Sequence, residues 1–237
     1  QRNTESQLTL EHHIDNALPK NAWFNLFYSL PSIYQDGLVQ QNATPLLFQQ
    51  LKNNKLATSY TLIHGKDDKI VKVEQQKFGF EHLFNDQTML NNISTLVFAN
   101  KLNNIPTGLH LFSFADSNSY QFELFIDALL LAQKAKQTKD IIWITSVGNQ
   151  SKKTSLSIKP SLLILPESKS KKVSHLTSHM DIQTTLMNRW LNCDIDEKTY
   201  SNGKDLLTLK KDRIIANTME HGMMVFSKDK SVFFIKN

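Results

Sequence analysis

The chain has 237 residues, 40% hydrophobic and 21% charged, with a formal net charge of +5. Such a composition supports a folded core and excludes a largely disordered chain, and the single cysteine, Cys193, excludes a disulfide scaffold. Only seven glycines occur and none are grouped, so GxGxxG and P-loop phosphate sites are absent, as is any apolar run long enough to span a bilayer.

The excess positive charge is almost entirely lysine, since Arg2, Arg189 and Arg213 are the only arginines. Base and phosphate readout favours arginine forks, so no nucleic-acid partner is expected. Lys169, Lys171 and Lys172 form a run that reads first as a solvated loop and second as a surface for anionic headgroups. The chain begins at Gln1, which suggests a piece of a longer protein.

In chain order, residues 1–20 are polar and weakly patterned, a weakly ordered lead-in. Residues 22–34 (AWFNLFYSLPSIY) predict a buried helix interrupted at Pro31. Thr44 and Pro45 open a helix that carries Leu46, Leu47, Phe48 and Leu51. Alternation over 57–63 predicts a strand, and short elements are expected near 70–76 and 80–84. STLVFA (94–99), LHLFSF (109–114) and DIIWITS (140–146) read as strands, the last covered on both faces. A helix over 119–136 separates the last two, so a βαβ unit is expected. SLLIL (161–165) predicts another strand, and 181–191 a helix with Asp181 as its N-cap. The tail over 208–237 predicts three short antiparallel strands, at 213–218, 223–227 and 231–236. The expected architecture is α/β: one domain with a mostly parallel central sheet flanked by helices and an antiparallel C-terminal strand group.

Two segments go beyond composition: SHMDIQTTLMNRWL (178–191) and YSNGKDLL (200–207). Together they resemble the C-terminal signature of the sulfatase and alkaline-phosphatase-like superfamily, S-H-x-D-I-x-x-T-L followed by a G-x-D/S-L loop. The signature positions here are Ser178, His179, Asp181, Thr184, Thr185, Gly203 and Asp205. NAWFNLFYSLPSIYQDGL (21–38) and the pair Thr184–Thr185 are similar to the PbgA/YejM-type inner-membrane proteins of Gram-negative bacteria.

The resemblance implies a periplasmic domain of a Gram-negative inner-membrane protein that regulates lipopolysaccharide and outer-membrane lipid homeostasis. Implied partners are its own transmembrane region, lipid A or lipopolysaccharide or cardiolipin, and a LapB-type adaptor. The superfamily reaction needs a Ser, Thr or formylglycine nucleophile and divalent cations. Alignment to the family pattern sets Leu18 and Pro19 at the nucleophile, and Val147 and Gly148 where an Asp-His metal pair belongs. Lys153, Thr154, Ser155, Leu156 and Ser157 stand in the third ligand region, and the family's first strand, with its Asp-Gly ligand, is expected upstream of Gln1. These replacements imply a non-catalytic domain with neither nucleophile, metal nor other cofactor. The alternatives are a metal-dependent phosphatase or phospholipid-headgroup transferase with a shifted site, and a cardiolipin or lipid A binding or transport domain.

Other residues carry weaker signals. His12 and His13 read as a solvated loop pair, with a metal pair as the sharper option; His110 reads as a packed strand residue. Asp67 and Asp68 fit turn chemistry, and Asp116 with Ser117, Asn118 and Ser119 fits a helix cap. Trp23, Tyr28, Tyr34 and Trp190 are the candidates for an exposed aromatic contact with a partner.

Overall fold

The computed structural model describes residues 7–16, 18–63, 78–86, 95–114, 119–136, 140–148, 158, 161–166, 169–219 and 222–235. The elements run β1 (Gln7–Ile14), α1 (Pro19–Tyr28), α2 (Gln35–Gln40), α3 (Leu46–Asn53), β2 (Ala57–Ile63), β3 (His82–Asp86), α4 (Thr95–Asn103), β4 (Gly108–Phe114) and α5 (Ser119–Lys136). They continue with β5 (Ile142–Ile144), β6 (Ser161–Ile164), β7 (Lys171–Ser178), α6 (Met180–Arg189), β8 (Ile215–Met219), β9 (Gly222–Phe226) and β10 (Ser231–Ile235). The chain forms two compact units, one of residues 1–47 with 141–237 and the other of residues 48–140.

The first unit holds a four-stranded sheet in the order β5-β6-β1-β7 and a three-stranded antiparallel sheet in the order β10-β9-β8. β1 pairs parallel with β7 and antiparallel with β6. A core of Ile14, Leu176, Met180, Ile215, Met224 and Phe226 joins β1, β7, α6 and the C-terminal sheet. Strand β1 lies where a polar lead-in was expected. Its signal is the alternation of Leu8 and Leu10, both buried, broken by a register shift against β7 between Leu10 and His12.

The second unit holds a parallel sheet in the order β3-β2-β4. Helices α4 and α5 pack together through Phe98, Ala99, Leu102, Phe125, Ala128 and Ala132. From Thr95 onward the strand expected over 94–99 is therefore α4, and residue 94 lies outside the described residues. Phe98, Ala99 and Leu102 are buried while Leu96 and Val97 are exposed, a helical period that a short apolar run does not disclose. The expected βαβ unit is corrected as well: β4 pairs with β2, whereas β5 pairs antiparallel with β6 in the other sheet. The α/β class with its parallel sheet, and the three antiparallel C-terminal strands, stand as expected. The element expected near 70–76 lies outside the described residues.

Helix α1 begins after Leu18 with Pro19 at its first position, and the fixed φ of proline suits a helix start. It ends at Ser29, held in the left-handed region at φ 57°, a costly conformation for a residue with a Cβ.

Candidate functional site

Parallel pairing of β1 with β7 sets His13 beside Thr177 and Ile14 beside Ser178, so the C-terminal ends of both strands open at one place. His13 Nδ1 lies 3.0 Å from Thr177 Oγ1, and His13 Nε2 lies 3.0 Å from His179 Nδ1. His179 Nε2 in turn lies 3.7 Å from Asp15 Oδ1. Thr177 donates its hydroxyl to the His12 carbonyl at 3.4 Å. That direction assigns the intervening protons: His13 donates through Nδ1, and its Nε2 accepts from His179. The Trp143 ring meets both imidazoles edge-on, with centroids 6.2 Å from His13 and 5.1 Å from His179.

All four polar members of this chain, Asp15, His179, His13 and Thr177, are buried. Burial is the chief reason the His13 pKa is pushed well below its ordinary value, and positive potential from His179 and Arg213 adds to it. His13 is thus held as a neutral imidazole between a hydroxyl and a second histidine.

Asp15 is the carboxylate at the mouth of β1. It accepts the Asn16 N–H at 2.6 Å on Oδ1 and the Gly148 N–H on Oδ2. Asn16 extends the arrangement: its Oδ1 accepts the Leu18 N–H at 3.1 Å, and its Nδ2 donates to the Thr218 carbonyl at 2.8 Å. Gly148 sits at φ +70°, and a Cβ added there would lie 2.8 Å from Pro19 Cγ and 2.9 Å from Pro19 Cα. The structure therefore brings together Pro19 and Gly148, two of the four positions where the sequence lacks family chemistry. Leu18 and Val147, both half-buried, are their chain neighbours.

The signature residues form a second knot, around the start of α6. Asp181 was expected as the N-cap, but His179 occupies that position and Asp181 lies in the first turn. Its carboxylate accepts the Ser178 N–H and the Lys204 N–H, each at 2.7 Å, and an Arg213 guanidinium N–H. Burial pushes the Asp181 pKa up, and Arg213 with the two amides pulls it back. Thr185 donates to the Asp181 carbonyl and accepts the Leu206 N–H. Asp205 pairs with Arg189 at 2.5 Å.

Thr184 and Ser201 hydroxyls lie 2.7 Å apart, and both meet the Ser29 hydroxyl, which donates to the Met180 carbonyl. This buried hydroxyl cluster is what fixes the left-handed end of α1. Gly203 is required by contact, since a Cβ there would lie 2.1 Å from the Met180 carbonyl oxygen. The hydroxyl cluster and the Asp181, Thr185 and Asp205 contacts tie α1, α6 and the 200–209 loop together, with Arg213 joined to them through Asp181.

Other expectations are corrected. His12 and His13 are not a loop pair: they are consecutive in β1, so they point to opposite faces, and only His13 is buried. His110 is half-buried, with Nδ1 2.7 Å from Ser59 Oγ and Nε2 2.7 Å from the Pro106 carbonyl. Of the aromatic candidates, Tyr28 is buried, Trp23 and Trp190 are half-buried and Tyr34 is exposed. Asp67, Asp68, Asp116 and residues 153–157 lie outside the described residues. Asp15 and the His13–His179 pair were not singled out by sequence reasoning. The available signal was an aspartate directly after an apolar alternation, the strand-end location where α/β folds gather ligands.

No protein-family model and no curated protein sequence matches the chain. Solved structures do. A protein in the alkaline phosphatase superfamily from Vibrio parahaemolyticus is similar at TM-score 0.62 and 13% identity, over 98% of this chain and 69% of that one. The PsFucS1 sulfatase from Pseudoalteromonas sp. is similar at TM-score 0.61 and 11% identity, over 98% of this chain and 75% of that one. A zinc complex of the C-terminal periplasmic domain of EcEptC from Escherichia coli is similar at TM-score 0.51 and 11% identity, over 94% and 82%. The chain therefore has the alkaline-phosphatase-like fold.

One of these neighbours carries zinc. Such a cation takes several oxygen or nitrogen ligands. Leu18, Pro19, Val147 and Gly148 supply no side-chain ligand, and Asp15 already accepts two amides. Among the described residues no group of three or more His, Cys, Asp or Glu is placed to hold a metal. The described residues at this strand end do not fit the group.

Proposed function

We propose that this chain is a non-catalytic, sulfatase-like periplasmic domain of an inner-membrane protein of PbgA/YejM type. In this reading it regulates lipopolysaccharide and outer-membrane lipid homeostasis. Its partners are its own transmembrane region, lipid A, lipopolysaccharide or cardiolipin, and a LapB-type adaptor. Support comes from the alkaline-phosphatase-like fold, the three sequence patches that resemble the family, and a periplasmic domain among the solved neighbours.

The observation that carries the non-catalytic part is the seam between Pro19 and Gly148. A backbone amide is bonded to Asp15, and a proline ring stands so close to Gly148 that no side chain fits there. In place of an attacking hydroxyl and a coordinating imidazole stand groups that can neither attack nor coordinate. The fold then supplies a rigid scaffold for recognition rather than a reaction.

A second reading, a metal-dependent phosphatase or headgroup transferase, is favoured by one feature, the Asp15 carboxylate at the end of β1. One experiment separates the two. The chain is assayed on 4-nitrophenyl phosphate and 4-nitrophenyl sulfate with Mg²⁺, Mn²⁺ and Zn²⁺ in turn. The proposal expects no turnover above buffer with metal. Turnover that disappears with chelator and in Asp15→Asn supports the second reading instead.

A further inference from the structure

In the second unit, strand register sets three polar side chains in one row. Ser59 on β2 is the partner of His82 on β3 and of His110 on β4, and partners in a parallel sheet share a face. Ser59 Oγ lies 2.7 Å from His110 Nδ1, and His110 Nε2 lies 2.7 Å from the Pro106 carbonyl oxygen. A carbonyl only accepts, so Nε2 carries the ring proton, Nδ1 is the acceptor and Ser59 donates its hydroxyl to it. Burial lowers the His110 pKa from its ordinary 6.5, and the positive charge of Lys136 adds to this, against the Pro106 carbonyl and Asp140. The imidazole facing Ser59 is therefore neutral at pH 7.

A hydroxyl bonded to a base that a third group orients is the arrangement that covalent ester cleavage requires. Ser59 is 7% exposed, but His110 is half-buried and His82 is exposed, so the row reaches water on either side of the serine. His82 stands one strand spacing, about 4.8 Å, from Ser59 on the side away from His110, where a ring N–H can meet a developing oxyanion. Phe84, 54% exposed, has its ring 6.1 Å from that of His82 and supplies an apolar surface beside the row. All of these residues belong to the second unit, and none belongs to the seam at Pro19 and Gly148.

We propose that Ser59 and His110 form a nucleophile–base pair that cleaves carboxylic esters with a short apolar acyl group. Ser59 Oγ bonds to the acyl carbon while its proton passes to His110 Nδ1. The bond from that carbon to the leaving oxygen breaks, and the leaving oxygen takes the proton from Nδ1. Water then adds its oxygen to the acyl carbon and gives a proton to Nδ1; Ser59 Oγ leaves, takes that proton back, and a carboxylic acid is released. The full chain is treated with a fluorophosphonate, which phosphonylates activated serines, and the adduct is mapped by peptide mass; 4-nitrophenyl butyrate is the substrate in parallel. One adduct is expected, at Ser59, with ester turnover lost in Ser59→Ala and both labelling and turnover lowered at least about a hundredfold in His110→Gln. Labelling of the unaltered chain should also fall as pH drops through the His110 pKa, below 6.5, which a hydrogen bond used only for packing would not impose on a serine. That readout needs no variant, so a folding defect cannot produce it. Absence of an adduct at Ser59 overturns the proposal, as does labelling there that is independent of pH or unchanged in His110→Gln.

Discussion

Gly148 donates its backbone N–H to the Asp15 carboxylate, and a Cβ added to it would meet Pro19 at 2.8 Å, too close for any side chain. Asp15 closes β1, Pro19 opens α1 and Gly148 follows β5, so three segments converge on a single seam. Gly148→Ala is expected to cost about 2–3 kcal/mol, from the positive φ and the contact with Pro19 together. Urea denaturation checks this. Pairing the change with Pro19→Ala should recover part of the loss.

The fold depends on the Asp181–Arg213 pair more than on any surface charge. Both side chains are largely out of water, so removing one leaves a buried charge without its partner. Arg213→Met is expected to destabilise by about 3–5 kcal/mol. Adding Asp181→Leu should restore only part, because the Ser178 and Lys204 amides then lose their acceptor. A double-mutant cycle of unfolding free energies gives the coupling.

Much of this fold could be read from the chain, and the exceptions have physical causes. Thr44–Pro45 announces α3, the alternation over 57–63 is β2, and the tail shows its three antiparallel strands. The run 94–99 misleads because leucine, valine and phenylalanine in sequence suit a strand as well as a helix, and only Leu102, outside the run, completes the helical face. β1 hides behind Glu11, His12 and His13, since a buried histidine in a strand looks polar until its partner is known. That partner, His179, is 166 residues away, and only the pairing of β1 with β7 brings it near. Resemblance marked Leu18, Pro19, Val147 and Gly148; the Asp15 contact with Gly148 is a property of the folded chain alone.

The His13–His179 pair gives the protein a pH dependence of known sign. His13 has a folded-state pKa well below its ordinary value of 6.5, so the unfolded chain takes up the proton more readily. Its contribution to stability is complete above about pH 6.5 and is lost as pH falls below it, at up to about 1.4 kcal/mol per pH unit. Thermal unfolding midpoints from pH 7.5 down to pH 5 should fall accordingly. His13→Asn should lower the midpoint at pH 7.5 and flatten the decline.

Gly203 gives a prediction about the signature itself. Its neighbour is a backbone carbonyl, that of Met180, which cannot swing aside as a side-chain tip can. Gly203→Ala is expected to cost about 3 kcal/mol or more. Ser201→Ala, which leaves the Gly203 N–H without its acceptor at 2.8 Å, should cost about 1–3 kcal/mol. Chemical denaturation of the two variants side by side tests the ranking.

The most direct test of the account is calorimetric titration of the chain and of Asp15→Asn with Zn²⁺, Mn²⁺ and Mg²⁺. The account predicts that the two proteins give the same isotherms, with no binding event that depends on Asp15. A stoichiometric site present in the chain and lost in Asp15→Asn would contradict it.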